Sequence, residues 1–304
     1  MNDAVTQTSL PLPLFQRGKV RDVYDLGDQL LVVSTDRISA FDVVLPTGVP
    51  QKGRVLNQMS AFWFRQTTGI IDNHMIESID TAEALAALSD RLWQHDALPA
   101  YMIGRCMVVK KARRIPVECV IRGYLSGSAW AEYRAHGTVQ GRPMLTGMQE
   151  SEAFSAALFT PTTKSETEHD RPLTERDIVE LNLQDTMPAL ENASLALYSY
   201  AAAYARERGI IIADTKFEFG WLNGTLILID EALTPDSSRF WAVEGYAPGR
   251  PQPSYDKQPV RDWLASSGWN DKLPPPPLPP GVVAETSERY IKIFEWLTKS
   301  PAQT

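Results

Sequence analysis

The sequence predicts a two-lobed α+β fold, with a strand-rich lobe over residues 1–115 and a mixed α/β lobe over residues 116–304. Three observations carry this reading. Short apolar runs broken by turn residues fill Gly18 to about Cys119, helical spacing dominates after Arg122, and Ile210–Gly220 changes from an apolar run to charges at every second position. The 304 residues are 43% hydrophobic, enough for a sizeable core.

Taken in order, Lys19–Leu26 and Gln29–Asp36 flank Gly27-Asp28 and read as a hairpin. Ser34–Gly48 continues with an extended Phe41–Leu45 before a Pro-Gly turn. Helical periodicity follows at Leu56–Thr67 and Thr81–Gln94, and Cys106–Lys111 and Val117–Arg122 are two further strands joined through Arg113–Pro116. The lobe boundary falls within this connection, at residues 112–120. Ser128–His136, Glu175–Gln184 and Ala189–Arg208 read as helices; Thr174 caps the second and Gly209 ends the third. The segment Lys272–Gly281 is a stiff polyproline run, expected to strap a last helix carrying Tyr290, Ile293, Phe294 and Leu297 onto the body.

Composition excludes several classes. The N-terminus lacks a basic segment followed by an apolar run, and no stretch approaches the ~18 apolar residues of a membrane span, so a soluble, cytoplasmic protein is expected. A formal charge of −7 argues against broad nucleic-acid binding, although a local cationic pocket is permitted. Cys106 and Cys119 have no CxxC spacing and read as core residues.

The densest chemistry lies in IIIADTKFEFG. Strand alternation projects Asp214, Lys216 and Glu218 to one face and Thr215, Phe217 and Phe219 to the other. Two carboxylates beside an ammonium need partners or a metal, and a polyanion held through a divalent cation supplies both. Asn223-Gly224 then signals a hairpin into Thr225–Ile229 and Asp230. A two-residue turn would set Asp230 opposite Phe217, whereas a three-residue loop with a bulge sets it opposite Lys216; the bulge is expected. Glu218 and Asp230 then become the Mg²⁺ ligands, since Mg²⁺ is usually held by one or two carboxylates plus phosphates. A surface salt-bridge ladder is the competing reading.

On Val117–Arg122, alternation sets Glu118 and Arg122 opposite an apolar Val117, Cys119 and Ile121 face. Gly127-Ser128 opens a helix nearby, which with Arg122 suits a phosphate or a simply capped helix. Gly18-Lys19 is an ordinary turn or a phosphate cover; no GxxxxGK[ST] or GxGxxG is present. Ser34–Asp42 carries more polar side chains than packing needs. Arg239, after Asp236-Ser237-Ser238, suits an anion clamp or a stack on Trp241. Thr160–Leu173, with Lys164, His169 and Asp170, reads as a lid, a binding loop or a solvated segment.

Together, GKVRDVYD, STDRISAFD, IPVECVIRGYLSGS and ADTKFEFG followed by DEALTPDSSRFW resemble the SAICAR synthetase family, in order and from about residue 12 onward. The resemblance implies an ATP-dependent carbon–nitrogen ligase of purine biosynthesis that joins L-aspartate to a carboxyaminoimidazole ribotide. It also implies a fold distantly like protein kinases, with ATP in the cleft between lobes, although no HRD motif is present. By motif, Arg122, Ser128 and Arg239 would hold the ribotide phosphate region, and Asp214 and Lys216, the catalytic pair, its carboxylate. Gly18, Lys19, Val20 and Arg21 would lie along the ATP phosphates, and Lys110 to Glu118 would receive the adenine. Glu218 and Asp230 would organise Mg²⁺, and Ser39, Asp42 and Lys164 would meet L-aspartate. The implied partners are these small molecules alone, with no nucleic acid or membrane, and a monomer suffices.

Overall fold

The computed structural model describes residues 4–92, 97–164, 171–270 and 274–299. Two antiparallel sheets organise them. The first has five strands in the order Leu14–Arg17, Arg21–Asp25, Gln29–Ser34, Cys106–Lys110 and Met75–Ser78. The second is built on Ile210–Leu222, which lies between Val117–Tyr124 and Thr225–Ile229, with Ala153–Phe159 beyond Val117–Tyr124. Arg113–Arg114 and Arg239–Ala242 also pair with the long strand, so the chain enters the second sheet only three residues after leaving the first at Lys110.

The apolar faces read from alternation are the ones buried. Phe217 and Phe219 join Val117, Cys119 and Ile121 in the main core, where the helix Met187–Arg206 contributes Leu190, Leu197 and Ala201. That core also takes Met59, Trp63 and Phe64 from the helix Lys52–Gln66, so residues on both sides of Arg113 share it. Cys106 and Cys119 are buried free thiols, and burial pushes Cys119 up to about 12. Gly209, at φ 74°, follows the helix Met187–Arg206 as a C-terminal glycine. Thr174 forms a capping box with Asp177.

The C-terminal segment lies on the body as a strap would. The Leu278 amide donates to Thr47 Oγ1 at 3.0 Å, and its side chain packs with Ile38, Val49, Val260 and Leu264. The helix Pro280–Thr298 then buries Tyr290, Ile293 and Leu297, with Tyr290 against Val55 and Leu56. Lys272 and Leu273 lie outside the described residues, as do His169 and Asp170.

Three local expectations are corrected. Phe41 and Asp42 are not strand residues: their φ values of 50° and 62° make the two-residue turn between Ser39–Ala40 and Val43–Val44. The helix from Glu175 stops at Glu180 rather than Gln184, with Asn182 at φ 54° beyond it. The hairpin after the charged strand has no bulge. Leu222 pairs with Thr225 and Glu218 with Ile229, because Asn223 and Gly224 (φ 50° and 81°) occupy both left-handed positions of a two-residue turn without needing a third residue. Strands Met75–Ser78, Ala153–Phe159 and Arg239–Ala242 and the helix Gln258–Ser266 escaped the sequence reading, being short or weakly patterned.

Candidate active site

The polar faces of the two central strands meet in one cluster. Lys216 is across from Val120 and Asp214 from Arg122 in the antiparallel ladder, which brings Glu118 within reach of Lys216. Lys216 Nζ donates to Glu118 Oε2 at 2.6 Å. Lys164 Nζ donates to Glu118 Oε1 at 2.6 Å and pairs with Glu218 Oε1 at 2.9 Å. One ammonium therefore bridges carboxylates from two strands.

Asp230 reaches the same cleft by a route different from the expected one. The regular register would turn it away, but Asp230 leaves the ladder at φ 66°, and its carboxylate accepts from Arg21 of the first sheet. Glu231 pairs with Arg21 Nη2 at 3.0 Å. Burial alone would raise Asp230, yet Arg21 and Lys164 outweigh it and hold the carboxyl below its ordinary value. Glu218 shows the reverse: burial, reinforced by the Asp230 charge, pushes it up to about 7 against the pull of Lys164. Burial also acts to raise Glu118, but Lys216 and Lys164 lower it.

These groups line a cleft of about 840 Å³ together with Gly18, Lys19, Val20, Arg21, Ser39, Asp42 and Lys110. Gly18 to Arg21, Lys110 and Glu118 (assigned to ATP), Glu218 and Asp230 (Mg²⁺) and Ser39, Asp42 and Lys164 (L-aspartate) thus border one cavity, whereas Arg113 and Ile115 to Val117 of the adenine stretch do not. Lys19 donates to Asp42 at 2.6 Å, and Lys110 Nζ to the Asn73 carbonyl at 3.3 Å. The apolar part of the wall comes from Val23, Leu30, Val32, Val109 and Ile229.

Arg122, Ser128, Asp214 and Arg239 do not border this cleft; they form a neighbouring cluster two residues along the charged strand from Lys216. Arg239 donates to Asp214, Arg122 Nη1 lies 3.6 Å from Asp214 Oδ2, and Arg122 Nη2 donates to Ser128 Oγ at 3.1 Å. The Arg239 guanidinium packs against Gly127, where a Cβ would stand 2.6 Å from Nη2 and φ is 58°. Glycine at the first turn of the helix Gly127–His136 therefore lets a second arginine approach its exposed amides. Beside them the Ser126 hydroxyl is buried without a partner. Two arginines, a helix N-terminus and an orphaned hydroxyl are a donor set for a phosphate.

Four participants were missed. His74 lines the cleft with Nε2 buried and unpartnered, and burial pushes it down to about 4, keeping it neutral. Lys52, 0% exposed, donates to Asp236 Oδ2 at 2.6 Å, and Tyr290 donates to Asp236 Oδ1 at 2.6 Å. These partners lie 184 and 54 residues from Asp236, beyond any local pattern. Lys257 is the fourth, on the cleft wall beside Asp236 and Ser237. A separate depression of about 1110 Å³, lined by Trp241, Tyr246, Tyr255 and Trp296, shares no residue with this cleft.

Comparison with known proteins identifies the family. The SAICAR synthetase family model matches residues 14–276. Phosphoribosylaminoimidazole-succinocarboxamide synthase of Thermodesulfovibrio yellowstonii is 48% identical over 98% of this chain and 100% of its own length. The enzyme of the same name from Geobacter sulfurreducens is 47% identical over 98% and 99%. A solved SAICAR synthase from Saccharomyces cerevisiae, complexed with SAICAR, superposes with a TM-score of 0.85 at 40% identity, covering 99% of this chain and 100% of that one. An α+β fold is common to them, and the chain belongs to the SAICAR synthetase family.

Proposed function

We propose that this chain uses ATP to join L-aspartate to the carboxylate of 5-amino-1-(5-phospho-D-ribosyl)imidazole-4-carboxylate, giving SAICAR, ADP and phosphate in purine (IMP) biosynthesis. The observation that carries the reading is the single strand face on which Asp214 meets the arginine cluster and Lys216 and Glu218 meet the cleft. On this reading a phosphate-binding end and a phosphoryl-transfer end lie within five residues of each other on one strand.

The ribotide phosphate takes Arg122, Arg239, Ser128 and the amides after Ser126, and its carboxylate takes Lys216, which is 46% exposed and can exchange Glu118 for substrate. ATP lies with its phosphates along Gly18 to Arg21 and its base near Lys110 to Glu118, in the cleft between a strand-rich lobe (1–115) and a mixed lobe (116–304) of distantly kinase-like form. Glu218 and Asp230 fit a hard divalent cation, because they are neighbouring carboxylates and burial together with the Asp230 charge already raises Glu218. Mg²⁺ bound there would neutralise charge on the ATP phosphates.

The γ-phosphoryl group passes to the ribotide carboxylate, forming an acyl phosphate and ADP. The neutral amine of L-aspartate then attacks the carbonyl carbon, phosphate leaves with the C–O electron pair, and the nitrogen gives up one proton to the departing phosphate or to solvent. No protein nucleophile is needed; the chain's residues align the partners and offset charge. Ser39, Asp42 and Lys164 are the contacts assigned to L-aspartate by motif. A soluble cytoplasmic monomer suits this chemistry, and no described helix is long and apolar enough to cross a membrane. The test is incubation with ATP, Mg²⁺, the carboxylated ribotide and L-aspartate, with SAICAR read by mass. Phosphate release indifferent to omission of L-aspartate refutes the reading.

A further inference from the structure

L-aspartate brings two carboxylates to a cleft already crowded with acids, so its recognition needs a cation that the protein has not spent on itself. Most of the basic groups here are spent. Lys19 is on Asp42, Arg21 on Asp230 and Glu231, Lys111 on Asp25, Lys164 on Glu118 and Glu218, and Lys216 on Glu118. Lys257 differs. It lines the cleft beside Lys216, Asp236 and Ser237, yet its ammonium makes no hydrogen bond or ion pair among the described residues.

Its acidic neighbours are engaged elsewhere. Asp236 is taken by Lys52 and Tyr290, each at 2.6 Å, and Asp256 by Arg261 at 2.8 Å. Lys257 is also held in place, because it is the N-cap residue of the helix Gln258–Ser266, whose Val260 and Leu264 are buried under the Leu278 strap. We propose that Lys257 is the anchor for one carboxylate of L-aspartate, seating the amino acid on the cleft wall so that its amine faces the ribotide carboxylate at Lys216. This rests on the ligase reading and names a binding residue for its second substrate. Burial, with Arg261, Lys52 and Lys216 nearby, pushes the Lys257 ammonium down to about 8 despite Asp236, so an incoming carboxylate meets a cation short of compensating charge.

Two measurements test the assignment. In K257M and K257Q, the KM for L-aspartate should rise by about 10- to 100-fold, the loss of one charged hydrogen bond, while KM for ATP and for the ribotide stays within about two-fold. An unchanged KM for L-aspartate, or an equal rise in all three constants, overturns it. In the wild-type protein, amine acylation followed by peptide mass spectrometry should show Lys257 shielded when L-aspartate is added to protein holding ribotide and a non-hydrolysable ATP analogue. Equal labelling with and without L-aspartate also overturns it, and this readout does not depend on a variant folding. Failure of the wild type to form product would instead refute the ligase reading itself.

Discussion

Removing the Lys52 ammonium isolates what the buried Lys52–Asp236–Tyr290 contact contributes. Lys52 is 0% and Asp236 7% exposed at the side chain, and the pair is 2.6 Å apart. In K52M the aspartate keeps Tyr290 but loses its closest charge. Breaking a buried pair by deleting one partner costs about 3–5 kcal/mol. With an unfolding entropy of ~2.1 cal/mol/K per residue over 304 residues, Tm should fall by about 5–8 °C. The pH dependence has a defined sign. Burial works against ionisation of Asp236, yet Lys52 and Lys257 prevail and the group sits at about 2 instead of 3.8. Such an acid contributes about 2 kcal/mol that is present above pH 3.8 and lost as pH falls through 2. Differential scanning calorimetry of the wild type, K52M, D236N and the double variant at pH 7 provides the assay. The double variant should recover part of the loss, because no buried charge is then left unpaired. A K52M midpoint within 1 °C of the wild type, or strictly additive losses, refutes the reasoning.

Other outcomes follow from the same geometry. Glu218, at about 7 rather than 4.5, contributes stability present below pH 4.5 and lost as pH rises through 7. E218Q should therefore melt above the wild type at pH 8 in EDTA while losing about 10²-fold in kcat/KM for ATP; a lower melting point with normal kinetics would reverse that assignment. R239K should lower kcat/KM for the ribotide about 10²-fold, since an ammonium cannot reproduce the guanidinium fork at Gly127 and Asp214, and wild-type kinetics would remove Arg239 from the phosphate site. T174A should cost about 1 kcal/mol through loss of the capping box and leave kcat unchanged; an activity loss in step with stability would mean that the helix Glu175–Glu180 bears on the cleft.

Strand alternation made much of the fold and site legible. Once Ile210–Gly220 and Val117–Arg122 are read as strands, period two alone sends Phe217 and Cys119 to the core and Lys216 and Glu118 to the site. What stayed hidden depends on backbone exceptions and distant pairing. Asp230 reaches the cleft through a left-handed residue, so the bulge invoked for it was unnecessary, and a period-two rule cannot register that conformation. Lys52 and Tyr290 join Asp236, and Lys257 comes to the cleft wall beside it, through packing of the helices Lys52–Gln66, Gln258–Ser266 and Pro280–Thr298, and no short-range pattern marks an ionic residue for such a role.

The return of the helix Pro280–Thr298 over Lys52–Gln66 bears on how the enzyme is made. Domains tend to fold from the N-terminus during synthesis at ~5–20 residues per second, but here Tyr290 and Leu278 must arrive before the Asp236 loop and the Thr47 segment have their partners. A nascent chain still tethered at residue 270 holds every candidate ATP and ribotide contact and lacks the buttress behind them. Catalytic competence should consequently appear only after the last helix clears the ribosomal tunnel, and ribosome-stalled chains of graded length would show it as a step.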